Sequence, residues 1–231
     1  MSFEFEARFF RELLDREGLV PRRVLVIGCG AGVEVGHIAD ATGAAVAGVD
    51  LTIDPRWRDG AAHAVALARA DARALPFREG GFDAVYCYHV LEHVPDPARA
   101  VAEARRVLRR GGIAYFGTPN KSRLVGYAGG RATGWEKVAW NAKDYWQRLT
   151  GRWDNARGAH AGFTDAELAG LLAESFGEVE SVSLPYYLGK YPRLGGLWRT
   201  SWRLGVARFL APSVYFRAGP GEGSRADRGP S

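Results

Sequence analysis

Apolar residues recur along this chain in two periods. Phe5, Phe9, Phe10, Leu13 and Leu14 follow three- and four-residue steps, which predicts an amphipathic helix from Phe3 to Glu17. Pro21 then breaks the chain, and the apolar run Arg23–Ile27 predicts a strand. From there the two patterns alternate. Helices are expected near Val33–Thr42, Ala61–Ala68 and Ala98–Leu108, and strands at Ala45–Val49, Phe82–Cys87 and Ile113–Gly117. Thr164-Asp-Ala-Glu167 has the spacing of a capping box and starts a helix running to about Phe176, with a strand near Val179–Leu184 to follow. Such alternation implies an α/β fold with a mostly parallel sheet covered on both faces. A ligand of such a sheet belongs at the carboxyl ends of its strands.

Two stretches depart from this rhythm. Residues 121–159 are rich in glycine and carry Trp135, Trp140, Tyr145, Trp146 and Trp153, which reads as an irregular insertion with some helix. Residues 218–231 consist largely of Gly, Pro, Arg and Ser and are expected to be a disordered tail. The remainder, 1–217, is long enough for one domain with a full core.

Composition narrows the class. No run of about 18 apolar residues is present, so no membrane span is expected. The first residues carry acids where a signal peptide carries bases, and a cytoplasmic location follows as the default expectation. The two cysteines, Cys29 and Cys87, make neither a disulfide framework nor a metal cluster and read as buried, reduced thiols. The net charge of +5 is unevenly placed. Between Pro185 and Arg217 stand six bases, eight aromatics and no acid.

The chemistry begins at Val24-Leu-Val-Ile-Gly-Cys-Gly-Ala-Gly32. Gly28, Gly30 and Gly32 allow a ligand to lie against the backbone, and the amides at the next helix start favour a negative group. Val33 stands where a Gly-x-Gly-x-x-Gly dinucleotide fingerprint needs its third glycine, which turns the reading from NAD toward S-adenosylmethionine. Asp50 ends the second strand, where a carboxylate meets ribose hydroxyls.

Further motifs follow in order: Ala70-Asp71-Ala72, Leu75-Pro-Phe with Gly81-Phe-Asp-Ala-Val, His89-Val-Leu-Glu-His93-Val-Pro-Asp-Pro97, Arg106-Val-Leu-Arg-Arg-Gly-Gly112 and Gly117-Thr-Pro-Asn120. With these the chain resembles the class I S-adenosylmethionine-dependent methyltransferases over roughly residues 22–184. It is most similar to the branch that includes ubiquinone biosynthesis and other small-molecule enzymes. The resemblance implies a Rossmann-like three-layer sandwich with a mostly parallel seven-stranded sheet, the last two strands antiparallel. A final strand is hard to locate, Ser213–Phe216 being a short candidate.

The same resemblance implies the donor S-adenosylmethionine, held by Gly28, Cys29, Gly30 and Gly32 at the turn. Asp50 and Leu51 would meet the ribose, Asp71 and Ala72 the adenine edge, and Tyr88 and His89 the region of the transferable methyl. His93 and His160 are the candidate bases or acceptor-orienting residues, since histidine titrates near neutral pH. His37 and His63 are read as structural, and no metal is expected. In this fold residues 121–159 would form part of an acceptor lid whose tryptophans suit an apolar or planar molecule or a sugar.

The expected activity is methyl transfer to a small-molecule acceptor, a hydroxyl being favoured by analogy with that branch. Nitrogen or carbon acceptors, a donor-binding protein without transferase activity and an NAD-dependent oxidoreductase are the alternatives. Leu194, Leu197, Trp198, Trp202, Val206, Phe209 and Leu210 recur at helical spacing in residues 185–217. That segment could rest on an anionic membrane, pack on the domain or another copy, or, least in keeping with the motifs present, meet nucleic acid.

Overall fold

A computed structural model describes residues 3–53, 65–124, 133–150 and 162–219. Its strands are β1 (Arg23–Ile27), β2 (Ala45–Asp50), β3 (Val65–Arg69), β4 (Phe82–Tyr88), β5 (Leu108–Pro119), β6 (Glu178–Ser181) and β7 (Ser213–Gly219). Its helices are α1 (Glu4–Arg16), α2 (Val33–Thr42), α3 (Pro97–Val107), α4 (Gly134–Leu149), α5 (Asp165–Ala173), α6 (Ser183–Lys190), α7 (Gly195–Arg203) and α8 (Ala207–Leu210). The seven strands form one sheet in the order β3-β2-β1-β4-β5-β7-β6. The first five are parallel, and β7 runs antiparallel to both β5 and β6.

Strand alternation divides the core into two layers. Val24 and Val26, Ala84 and Tyr86, Ile113 and Tyr115 face α1, α2 and α6. Leu25 and Ile27, Val85 and Cys87, Ala114 and Phe116 face α3 and α5. The expected three-layer architecture is therefore present. Its N-terminal helix buries Phe9, Phe10, Leu13 and Leu14 as their spacing requires. The capping box also forms: Glu167 N donates to Thr164 Oγ1 at 3.1 Å, and Thr164 N donates to Glu167 Oε2 at 2.9 Å.

Three local expectations need correction. The helix near Ala61–Ala68 is overturned at its described end, because Val65–Arg69 is the edge strand β3 paired with β2. Alanine favours helix, but here pairing and the inward packing of Val65 and Leu67 prevail. The strand near Val179–Leu184 ends at Ser181, and α6 begins at Ser183. The turn is held by Val182 N donating to Tyr215 O and Tyr215 N donating to Ser183 Oγ, both at 2.9 Å. The elusive final strand is β7, buried throughout and inserted between β5 and β6. Ala218 and Gly219 belong to it; the rest of the expected tail, residues 220–231, lies outside the described residues.

Of the 121–159 insertion, α4 is described, with Trp135 and Trp146 exposed. Residues 125–132 and 151–161, including Trp153, lie outside the described residues. The 185–217 segment folds into α6, α7, α8 and β7. Trp198 packs inward against Tyr187, their rings 4.3 Å apart. No described helix is long and apolar enough to cross a membrane.

Candidate functional site

β1 ends at Ile27, and the chain turns across the end of β2. Gly28 N and Cys29 N both donate to Val49 O, at 2.8 and 3.1 Å. Gly28, Gly30 and Gly32 all have positive φ, which explains glycine at each position. Gly32 is the N-cap of α2. A Cβ on Gly28 would lie 2.1 Å from Val90 Cγ2, so this glycine also admits the segment that follows β4.

Asp50 closes the turn from the other side. Its Oδ2 accepts from Gly30 N at 2.9 Å and its Oδ1 from Thr52 N at 3.0 Å. Asp71 accepts from the backbone N–H of Arg73 and pairs with its guanidinium at 2.7 Å. Those hydrogen bonds hold the Asp71 carboxyl below its ordinary range.

These groups line one cleft at the carboxyl ends of β1, β2 and β4, enclosing about 710 Å³ with its open mouth. The cleft brings together Gly28, Asp50, Leu51, Asp71, Ala72, His89 and His93 from the sequence-based set. Cys29, Gly30 and Gly32 shape the turn without lining the cleft. Tyr88 also stands outside its lining, on the α1 side, where its ring stacks with Tyr215. His160 and His63 lie outside the described residues, and His37 sits on α2.

The sequence reading had not singled out Arg73, Val90, Val94 or Pro95, which also line the cleft. Arg73, two residues beyond Asp71, is the cation that a short turn can fold back onto the carboxylate. Val90, Val94 and Pro95 are the apolar members of the motif whose histidines drew attention.

Two acids near these strand ends are buried, Glu34 in the first turn of α2 and Glu92 in the turn after β4. Glu34 accepts from Tyr86 Oη at 2.5 Å, and burial pushes its carboxyl up to about 7 despite that bond. Glu92 is buried with no hydrogen-bond partner at either oxygen, and burial pushes it to about 7 as well. The Cys29 thiol is pushed up to about 12, first by burial and then by the Asp50 charge, so it is no nucleophile at neutral pH. Among the described residues no three His, Cys, Asp or Glu gather as a metal site.

The arrangement suits a nucleoside with a charged tail. A Cβ at Gly30 would meet nothing within 4 Å, leaving the turn's backbone open to a close neighbour. Each Asp50 oxygen serves one amide, and a carboxylate can accept about four hydrogen bonds, so capacity remains for hydroxyl donors.

Comparison with known proteins bears on the family and the fold. Residues 25–116 match the family described as methyltransferase domain. A ubiquinone biosynthesis O-methyltransferase from Methylococcus capsulatus is 38% identical over 111 residues, which is 45% of this chain and 46% of that protein. The chain spans about half the length of such relatives. Among solved structures, phosphoethanolamine N-methyltransferase 2 of Haemonchus contortus, in complex with S-adenosylhomocysteine, has a TM-score of 0.54 at 18% identity. That likeness covers 90% of this chain and 52% of that one. The [4+2]-cyclase SpnF has a TM-score of 0.53 at 19% identity, covering 92% and 80%. These two likenesses show the fold, which evidently serves more than one reaction. Residues 25–116 thus match the methyltransferase-domain family model, and the seven-stranded sheet has the Rossmann-like fold of the methyltransferase neighbour.

Proposed function

We propose that this protein transfers a methyl group from S-adenosylmethionine to a small-molecule acceptor, with a hydroxyl oxygen as the favoured target. The observation that carries the reading is the cleft in which the glycine turn, Asp50 and Asp71 converge at the strand ends. Gly28 to Gly32 and Asp50 would hold the donor's tail and ribose, and Asp71 with Ala72 its adenine edge. When bound, the donor supplies an activated methyl on a positively charged sulfur. The protein's share is to align the acceptor, exclude water and receive a proton. The hydroxyl preference rests on the O-methyltransferase relatives, and apolar, aromatic or sugar-containing metabolites are the class to screen.

Calorimetric titration with S-adenosylmethionine, S-adenosylhomocysteine and NADH tests the reading. Binding of the first two, lost in Asp50→Ala, supports it and opens an acceptor screen. Binding of NADH alone, or of none, refutes it.

A second reading concerns the C-terminal segment. α7 turns Trp198 inward and leaves Leu197 exposed; Leu194 before it and Leu204 after it are exposed too, as are Arg193, Arg199 and Arg203. Exposed apolar residues interspersed with bases suit an anionic lipid surface. Flotation with anionic liposomes at low salt should carry the protein upward. Failure to float removes this reading and leaves methyl transfer untouched.

A further inference from the structure

His89 is the one non-glycine residue with a positive φ, 54°, among the described residues. A side chain strains the backbone in that region, and such strain tends to be kept where the side chain is used. Its place is the carboxyl end of β4, beside β1, where the strand order reverses. Open parallel sheets bind ligands at that reversal.

The imidazole is held from two directions. Its ring stacks on Tyr88 with centroids 4.2 Å apart, and its Nε2 stands 3.4 Å from Ser213 Oγ on β7. Its backbone N–H donates to Gly117 O at 2.8 Å, fixing the residue to β5. Held in this way, His89 stays exposed and lines the cleft.

The strand order sets a sequence of groups along the sheet edge: Asp71 beyond β3, Asp50 on β2, Gly28 beyond β1 and His89 beyond β4. Adjacent strands are about 4.8 Å apart, so Asp50 and His89 stand about two spacings from one another. A nucleoside gripped at Asp50 and passing the glycine turn meets the β4 end next.

On the functional reading above, we infer that His89 is the proton acceptor and that the donor's own charge times its use. A positive sulfur nearby disfavours imidazolium, so His89 stays neutral and ready to accept. In the transfer the acceptor's O–H bond breaks and its proton passes to His89. The oxygen's electron pair forms the new C–O bond, and the C–S bond breaks with its pair left on sulfur. One positive charge has then moved from sulfur to imidazole, and the net charge of the site is unchanged. Water takes the proton when the product leaves.

Among the described residues, the other charged or titratable groups lining this cleft are Asp50 on β2, Asp71 and Arg73 beyond β3, and His93 beyond β4, with buried Glu92 next to His93 in the chain. Tyr88 lies against the ring, with Tyr215 of β7 stacked on it. All are present whether the bound nucleoside carries a sulfonium or a thioether, so comparing the two isolates the sulfur's charge.

The test is an NMR titration of the histidine side chains in the S-adenosylmethionine and S-adenosylhomocysteine complexes. His89→Gln assigns the signal, or through-bond connection to its own backbone does so if that variant does not fold. His89 is expected to titrate lower in the S-adenosylmethionine complex by at least about half a pH unit, with His37 unmoved. Equal values in the two complexes, or a larger difference at His93, overturn the proposal. Binding of neither nucleoside refutes the functional reading itself, so the two failures are told apart.

Discussion

Asp50 Oδ2 accepts a hydrogen bond from Gly30 N at 2.9 Å, tying the end of β2 to the glycine turn that follows β1. One carboxylate therefore shapes the turn and faces the cleft. A charge-assisted bond of this kind contributes about 1.5–3 kcal/mol. Asp50→Ala should lower affinity for S-adenosylmethionine at least about tenfold, and the melting temperature by a few degrees. Calorimetry and a thermal scan read the two effects separately. Unchanged affinity would confine Asp50 to shaping the turn.

Gly28 and Gly30 should separate fold from binding. A Cβ on Gly28 meets Val90 at 2.1 Å with φ at 78°, so Gly28→Ala should cost about 2–4 kcal/mol in urea unfolding. Gly30→Ala meets open space, and its left-handed backbone costs only about 1–2 kcal/mol. The second variant should fold and bind the nucleoside at least about tenfold more weakly. If it binds normally, the ligand does not approach the turn at Gly30.

Glu34 and Glu92 predict an unusual pH dependence of stability. Both are raised by burial from 4.5 to about 7. Between those values the folded protein holds more protons than the unfolded chain, so stability falls as pH rises through this window and levels off above it. Each group accounts for about 1–3 kcal/mol. Denaturation should show higher stability at pH 5 than at pH 8. Glu92→Gln should flatten the slope and stabilise the protein at pH 8; a slope unaltered in that variant and in Glu34→Gln would refute this account.

Glu6 and Lys190 meet at 2.6 Å from opposite ends of the chain, with Tyr186 Oη donating to the same Glu6 oxygen at 2.8 Å. Glu6 is buried, so Lys190→Met would leave a buried charge poorly compensated. The expected loss is about 2–4 kcal/mol, partly recovered in the Glu6→Gln/Lys190→Met double variant. A double-mutant cycle in urea checks it, and full additivity would show that the pair is uncoupled.

Legibility varied with the range of the forces involved. α2 was readable to its ends, because the glycine turn precedes Val33 and Gly43 terminates the helix in left-handed geometry. β3 was misread because alanine-rich Val65–Arg69 has weak intrinsic preference and owes its state to β2. Asp50 and Asp71, which line the cleft, stand out in the sequence because glycine spacing and strand ends are local signals. The direction of Tyr88 was overlooked, although alternation from Tyr86 places both rings on the α1 side. The pairing of Arg73 with Asp71 needed the turn to be folded before it could be seen.

By itself the sequence determined the alternating α/β pattern, the glycine turn, the carboxylates at its flank and the helix caps. Each depends on residues close in the chain, where backbone sterics and side-chain period act directly. Tertiary structure decided the insertion of β7 between β5 and β6, the burial of Glu6 against Lys190 and the left-handed backbone of His89 beside Ser213. Those features depend on contacts between residues far apart in the chain, whose energies exist only once the sheet has assembled.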